Sequence, residues 1–333
     1  MHEVKMRGLY LCCLLLILLI LFSGCGTVKI PIAVTRPAEI NMTPYKQIAI
    51  GRIEGNMGQV FSDGIKNQLV ESSRFQVVER SRLDQIMKEL NLSQSDLVDS
   101  KNKAQLGKLL GVSAMITGRL NGKYDEQRKS ERVKYGDKKE GYYYRTHYYR
   151  QGEFRTSGSI DVVDIQTGQI IKSKALSSSR KDETSAVEAT PDDIDQDALA
   201  GACLAENIST FIKAISPWVE HVQVPFETDS AIPDLEKGIQ QAKLGEMQEA
   251  IRIFAAAARA SETNAKIKPG SIAKAYWDLG LVYEYTWEFD KAIECFKKAY
   301  SLDSCEAYIK EIKNTEKLRA ERKKLEQQGI QES

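Results

Sequence analysis

The apolar positions change rhythm several times along the chain. Leu9 to Phe22 is an unbroken run of fourteen apolar residues. As a helix it is too short to cross a bilayer core of about 30 Å, which takes roughly twenty residues. Lys5 and Arg7 precede it, so it reads as the hydrophobic stretch of a secretory signal. Residues 27–44 contain Pro31, Pro37 and Pro44 without a sustained period, and an extended tether is expected there. From Gln47 to Ile53 apolar positions alternate with polar or small ones, which predicts a strand. A glycine turn follows over Glu54 to Gly58. Val60, Phe61, Ile65, Leu69 and Val70 then recur at helical spacing. Phe75 to Glu79 predicts a second strand. Leu83, Ile86, Met87 and Leu90 predict a second helix, and Ala104 to Leu110 a short one stopped at Gly111. Ser113 to Leu120, Ser157 to Ile165 and Gln169 to Ala175 predict three further strands. The last two are joined by the tight turn Gln166-Thr167-Gly168. Ile194 to Ile215 predicts a helix, closed by Pro217. The expected fold class over residues 45–220 is an α/β sandwich, a mixed sheet with helices.

Residues 231–305 change to an all-α rhythm that repeats. Gly238, Ala250, Phe254 and Ala257 align with Gly280, Ala292, Phe296 and Ala299, with spacings of 12, 4 and 3 in both copies. Small residues where two antiparallel helices cross, with an aromatic between them, resemble the tetratricopeptide repeat. The copies stand 42 residues apart, and the surplus over the usual 34 falls near residues 261–270. Trp287 occupies the inter-helix turn where glycine is usual, and Ser304 stands where a closing proline is usual. Two repeats are fewer than the three that usually stack stably. The highly charged segment 306–333 is expected to be a helical cap or an exposed tail.

Leu21-Phe22-Ser23-Gly24-Cys25 follows the apolar run and resembles the lipobox of bacterial lipoproteins. That resemblance implies removal of residues 1–24, lipid attachment at Cys25 and a tether over 25–44. Gly26, which is not Asp, implies by the same resemblance the periplasmic face of the outer membrane. Removing residues 1–24 takes away Lys5, Arg7 and Glu3 and leaves equal numbers of basic and acidic side chains. A neutral body gives no electrostatic reason for nucleic-acid binding. Six cysteines without a CxxC pair argue against a zinc site or a disulfide framework. Cys295 and Cys305, ten apart, leave a bridge open. His147 and His221 are the histidines after the signal, and neither GxSxG nor HExxH occurs. No catalytic residue, metal ligand or cofactor is expected. Gly51, Gly55 and Gly58 follow a strand and open a helix, but their spacing is not a phosphate-binding fingerprint, and a plain turn is the reading.

Three stretches resemble the CsgG family of curli-secretion lipoproteins. They are FQVVERSRLDQIMKEL from Phe75, LGKLLGVSAMITGRL from Leu106, and the hairpin Val163 to Ile170 with its V-D-x-x-T-G-x-I pattern. In the family's secretion pore, membrane-spanning hairpins flank the third of these. Residues 121–156 occupy the place of one and hold ten basic residues, six acidic residues and seven tyrosines. A lipid-facing strand needs about ten residues with every second one apolar. Lys123 to Arg132 offers charges on both faces, so a solvent-exposed hairpin arm with its tip near Gly136 to Gly141 is expected. The place of the second hairpin holds SSSRKDETSAVEATPDDID, expected to be a polar loop. The reading is a non-enzymatic scaffold or accessory lipoprotein of envelope assembly or secretion. Its partners would be proteins or peptides held in the tetratricopeptide groove. Candidate contact residues are Tyr276, Trp277, Tyr285 and Trp287, with Tyr142, Tyr144 and Tyr148 on the arm. The alternative is an oligomeric secretion channel of the CsgG type.

Overall fold

The computed structural model describes residues 26–78, 85, 88 and 111–330. The expected signal, Cys25, the short helix at Ala104–Leu110 and all but residues 85 and 88 of the helix at Leu83–Leu90 lie outside the described residues. In chain order the strands and helices are β1 (Thr27–Arg36), β2 (Gln47–Glu54), α1 (Gly58–Glu71), β3 (Gln76–Val78), β4 (Ala114–Asp137), β5 (Gly141–Asp164) and β6 (Ile170–Val187). There follow α2 (Gln196–Ile215), β7 (Trp218–Glu227), α3 (Asp234–Lys243), α4 (Met247–Glu262), α5 (Pro269–Tyr285), α6 (Phe289–Leu302) and α7 (Glu306–Gln327). The chain divides into an α/β unit, residues 38–217, and a helical unit made of the N-terminal residues to Pro37 together with everything from Trp218.

The α/β unit carries one five-stranded sheet in the order β3-β2-β4-β5-β6. β2 runs parallel to β3 and β4, and β4, β5 and β6 are antiparallel neighbours. Phe61, Ile65 and Leu69 from α1 and Ile208, Phe211 and Ile215 from α2 pack on Ile48, Ile50, Ile116, Leu120, Ile160 and Val162. The apolar spacing on α1 and the alternation on β2 therefore face one core. Phe61 and Phe211 meet edge to face at 6.1 Å. Asn207 is buried within this core, and its Nδ2 donates to Thr156 Oγ1 at 2.7 Å, which also accepts from Ser178 N at 3.1 Å. The glycines before α1 form a tight turn. Gly55 has φ +94°, and a Cβ there would lie 2.2 Å from Leu120 O. Met57 N donates to Leu120 O and Gly58 N to Gly55 O.

Two expectations are corrected here. Residues 27–36, read as a tether, form a strand that pairs along its whole length with β7, from Thr27↔Glu227 to Arg36↔Trp218. Val28, Ile30, Ile32 and Val34 do alternate, and Pro31 between them conceals the period. Their partner is 200 residues away and invisible to a local reading. The polar stretch after Ala175, read as a loop, instead prolongs β6 to Val187, paired with β5 as far as His147. Its sequence looks like a loop because the strand is mostly exposed.

The helical unit is two helical hairpins, α3–α4 and α5–α6, followed by α7. A Cβ on Gly238 would lie 2.5 Å from Phe254 Cε1, and one on Gly280 the same distance from Phe296 Cε1. The same small-to-aromatic contact thus recurs at the same spacing in both hairpins. Ile30, Ile32 and Val34 of β1 and Val224 and Phe226 of β7 belong to the same core as these helices. Phe226 stacks on Phe254 at 5.9 Å. Arg36 ties β1 to β7 and α7 through Glu220 and Glu321, each at 2.7 Å. The segment from 306 is a packed helix, with Tyr308, Thr315, Leu318 and Leu325 buried. Two repeats lack the neighbours that bury their open faces. Here the β1–β7 ribbon and α7 add to the core that the two repeats share.

Candidate partner-binding surfaces

The first surface is the arm. β4 and β5 stay paired out to Asp137↔Gly141, while β6 ends opposite His147. Beyond that point the ribbon has two strands only. Asp137 Oδ1 closes the tip by accepting from Lys139 N and Glu140 N at 2.7 and 2.9 Å, which also lowers the Asp137 carboxyl below its ordinary range. Gly136 and Gly141 flank the tip with φ near +90°, a region open to glycine. On one face Tyr135 stacks on Tyr143 at 5.7 Å and on His147 at 5.9 Å, and its hydroxyl is hydrogen-bonded to His147 Nε2. On the other, Lys134 Nζ lies 3.4 Å above the ring of Tyr142 and Arg132 lies 4.9 Å from that of Tyr144. Tyr142, Tyr143 and Tyr144 are each about half exposed, at 51, 51 and 52%. Tyr148 is also exposed, so the three tyrosines expected on the arm are presented to solvent.

The second surface is on the helical unit, where the four aromatic candidates part company. Trp277 is 6% exposed. Its Nε1 donates to Pro225 O at 2.9 Å, and its ring rests on Phe296 and Tyr308, each at 5.4 Å. It is a core residue, because β7 covers this side of α5. Tyr276 is half-buried, and burial with the nearby Glu262 carboxylate pushes its hydroxyl up to about 12. Tyr285 is half-buried too, its hydroxyl raised further by burial and by Glu284. Trp287 lines a groove of about 630 Å³ with Phe289, Lys291, Arg319, Arg322 and Lys323 and with the acidic Glu288, Asp290 and Glu326. The Trp287 ring meets Phe289 at 5.8 Å and Arg322 at 5.0 Å. Arg319 bonds Asp290 at 2.5 Å and lies 5.7 Å from the ring of Phe289. Trp287 has φ +66°, where the first hairpin has Gly245 at +82°. A tryptophan held in the left-handed region costs of order 1–3 kcal/mol. The absence of the usual glycine is visible in the sequence; the groove is not, since it needs α7.

Between these helices lies a buried acidic pair that sequence reasoning missed. Glu284 on α5 is fully buried, and Asn314 Nδ2 on α7 donates to both Glu284 Oε1 and Glu311 Oε1 at 2.8 Å. Burial, then the neighbouring Glu311, pushes the Glu284 carboxyl up from 4.5 to about 9. Asp278, one turn and a half earlier, is also fully buried. Its Oδ1 accepts from Glu227 N at 2.8 Å, and burial raises its carboxyl well above the usual range. Glu284 joins α5 to α7 through Asn314, and Asp278 joins it to β7. Cys295 is buried with its thiol pushed up to about 12 by burial, and Cys305 is exposed; neither is bridged. Among the described residues no cluster of three His, Cys, Asp or Glu side chains could hold a metal ion.

Residues 24–225 match the model of the family described as curli production assembly/transport component CsgG, and residues 273–304 match a tetratricopeptide repeat. No curated protein matches the chain. Solved structures similar to it include the LpoB C-terminal domain from Salmonella enterica, at 14% identity and a TM-score of 0.25, covering 40% of this chain and 82% of that one. Lipoprotein GNA1162 from Neisseria meningitidis is similar at 9% identity and 0.25, covering 48% and 94%. A PelC dodecamer from Paraburkholderia phytofirmans is similar at 8% identity and 0.24, covering 56% and 97%.

Proposed function

Since the chain belongs to the CsgG family and carries a tetratricopeptide repeat behind that domain, we propose that it is an accessory lipoprotein of envelope assembly or secretion. It is anchored through Cys25 at the periplasmic face of the outer membrane, works without catalysis, and holds a protein partner on its helical unit. The observation that carries the binding role is the groove at Trp287. An aromatic kept in a backbone conformation that favours glycine, ringed by Arg319, Arg322 and Lys323, has the Trp-and-Arg character of interface hot spots. The rim mixes four basic with three acidic side chains, paired as Lys291–Glu288, Arg319–Asp290 and Arg322–Glu326, so it suits a peptide or helix that carries both signs of charge. Of the four aromatic candidates on the helical unit Trp287 lines this groove, so it is the contact residue to test first.

The test places a photo-crosslinking amino acid at position 287 of the full chain in cells. Protein adducts that disappear with Arg319→Gln support the reading. Adducts absent at 287, with the protein stable and exported, refute it. Anchoring is tested separately by Cys25→Ser, which should abolish fatty-acid labelling and release the protein from outer-membrane fractions. The channel reading is less well supported. β4 from Lys123 to Lys134 and β6 from Ser177 to Val187 place polar or charged side chains on both faces, which lipid does not accommodate. Native mass in mild detergent decides between them, a large closed ring favouring the channel.

A further inference from the structure

Where the ribbon has two strands only, from Arg132 to Thr146, the chain has five basic and two acidic side chains and four of its fourteen tyrosines. That is a net charge of +3 on a protein whose total is +1, so all the rest carries −2. The charge is thus segregated onto the arm rather than spread over the surface. The ribbon is also alike on its two faces. One carries Tyr135, Tyr143, Tyr149 and Arg145; the other carries Tyr142, Tyr144, Tyr148, Arg132 and Lys134. A protein that covered one face would leave an equivalent set exposed on the other. A medium that surrounds a protruding ribbon meets both faces equally. Tyrosine favours the depth of lipid headgroups, where its ring and hydroxyl are both accommodated, and basic side chains gain from anionic lipid. Val133 is the single aliphatic side chain between Arg128 and Arg150, so the hydrocarbon interior is closed to the arm and the headgroup layer is its limit.

We infer that the tip of the β4–β5 arm docks, tip first, into the headgroup layer of an anionic phospholipid membrane. Its basic side chains engage the lipid phosphates, and its tyrosines lie at headgroup depth. This is a peripheral contact separate from lipidation at Cys25, and it holds whether or not the groove at Trp287 binds a partner.

The test uses the full chain with Cys25→Ser, so that no acyl chain contributes. Flotation is compared on vesicles of phosphatidylcholine alone and of phosphatidylcholine with 30% phosphatidylglycerol. The expected result is binding at least tenfold tighter to the anionic vesicles at 50 mM salt, falling towards the neutral value at 500 mM. Arg132→Gln with Lys134→Gln and Arg145→Gln in the same background should weaken anionic binding about a hundredfold, roughly fivefold for each charge. Replacing Tyr142, Tyr143 and Tyr144 by Ser should weaken binding to both vesicles. Unchanged circular dichroism and thermal melting confirm that both variants fold. Equal binding of parent and charge variant, or a parent that stays in the supernatant, overturns the inference. So does a charge variant that keeps its lipid binding but loses capture of an acidic protein.

Discussion

Replacing Glu284 by Gln tests the most consequential electrostatic feature of the helical unit. The carboxyl is fully buried, and its ordinary value of 4.5 is raised to about 9. At pH 7 it is protonated in the folded chain and ionised in the unfolded one. The unfolded state therefore binds fewer protons, and stability falls as pH rises between about 4.5 and 9. Each pH unit costs about 1.4 kcal/mol. Two and a half units separate pH 7 from the ordinary value, so holding the proton costs about 3 kcal/mol there. Glutamine keeps an acceptor for Asn314 Nδ2 and a donor towards Glu311 without that cost. Glu284→Gln is expected to stabilise by about 3 kcal/mol at pH 7, by almost nothing at pH 4.5, and increasingly up to pH 9. The chain's three tryptophans, Trp218, Trp277 and Trp287, all lie in the helical unit. Urea titration followed by tryptophan fluorescence thus reads this unit. The same stability difference at pH 5 and pH 8 would show that the carboxyl titrates normally, and the reading of a neutral buried acid would be refuted.

Other expectations follow from packing. Gly280→Ala sets a methyl group 2.5 Å from Phe296 Cε1 and should destabilise the helical unit by about 1–3 kcal/mol, whereas Gly201→Ala, in open space on α2, should stabilise the α/β unit by about 0.5–1 kcal/mol; thermal melting of the two variants distinguishes them. Ile30→Ala removes a buried side chain of β1 and should cost the helical unit about 2–5 kcal/mol, read as an earlier fluorescence transition, and an unchanged transition would mean that β1 is not docked. Asn207→Leu removes the donor to Thr156 Oγ1 in the α/β core and should cost about 1–3 kcal/mol, seen in circular dichroism with tryptophan fluorescence unaffected.

Much of the fold was legible where neighbours in sequence are neighbours in space. The α1 stripe, the hairpin tip at 136–141 and the Gly-Phe contacts of both repeats all rest on local spacing. What was illegible depended on distant partners. Val222, Val224 and Phe226 alternate, yet nothing nearby shows that they meet Ile30 and Ile32. Without β7, Trp277 looks like a groove residue; with β7 it is core. The polar residues of β6 hide a strand because its side chains are largely in water. Of the candidate contacts, Trp287 was legible as a departure from its repeat, whereas Arg319 and Arg322 reach it only through α7.

The pairing of β1 with β7 also fixes an order of events. The hydrogen bond from Ile40 N to Ala214 O, at 3.2 Å, brings the two ends of the α/β unit side by side. That unit is therefore an insertion, spliced into a helical module whose opening strand is synthesised some 200 residues before its mate. Folding of the insertion shortens the loop between β1 and β7 and lowers the entropy lost when they pair. Until Trp218 to Glu227 arrives, Ile30, Ile32 and Val34 form an apolar strand with an open edge, the kind of segment that invites misassociation. A chain ended just after Pro217 would keep its α/β core and carry that adhesive strand permanently at its front.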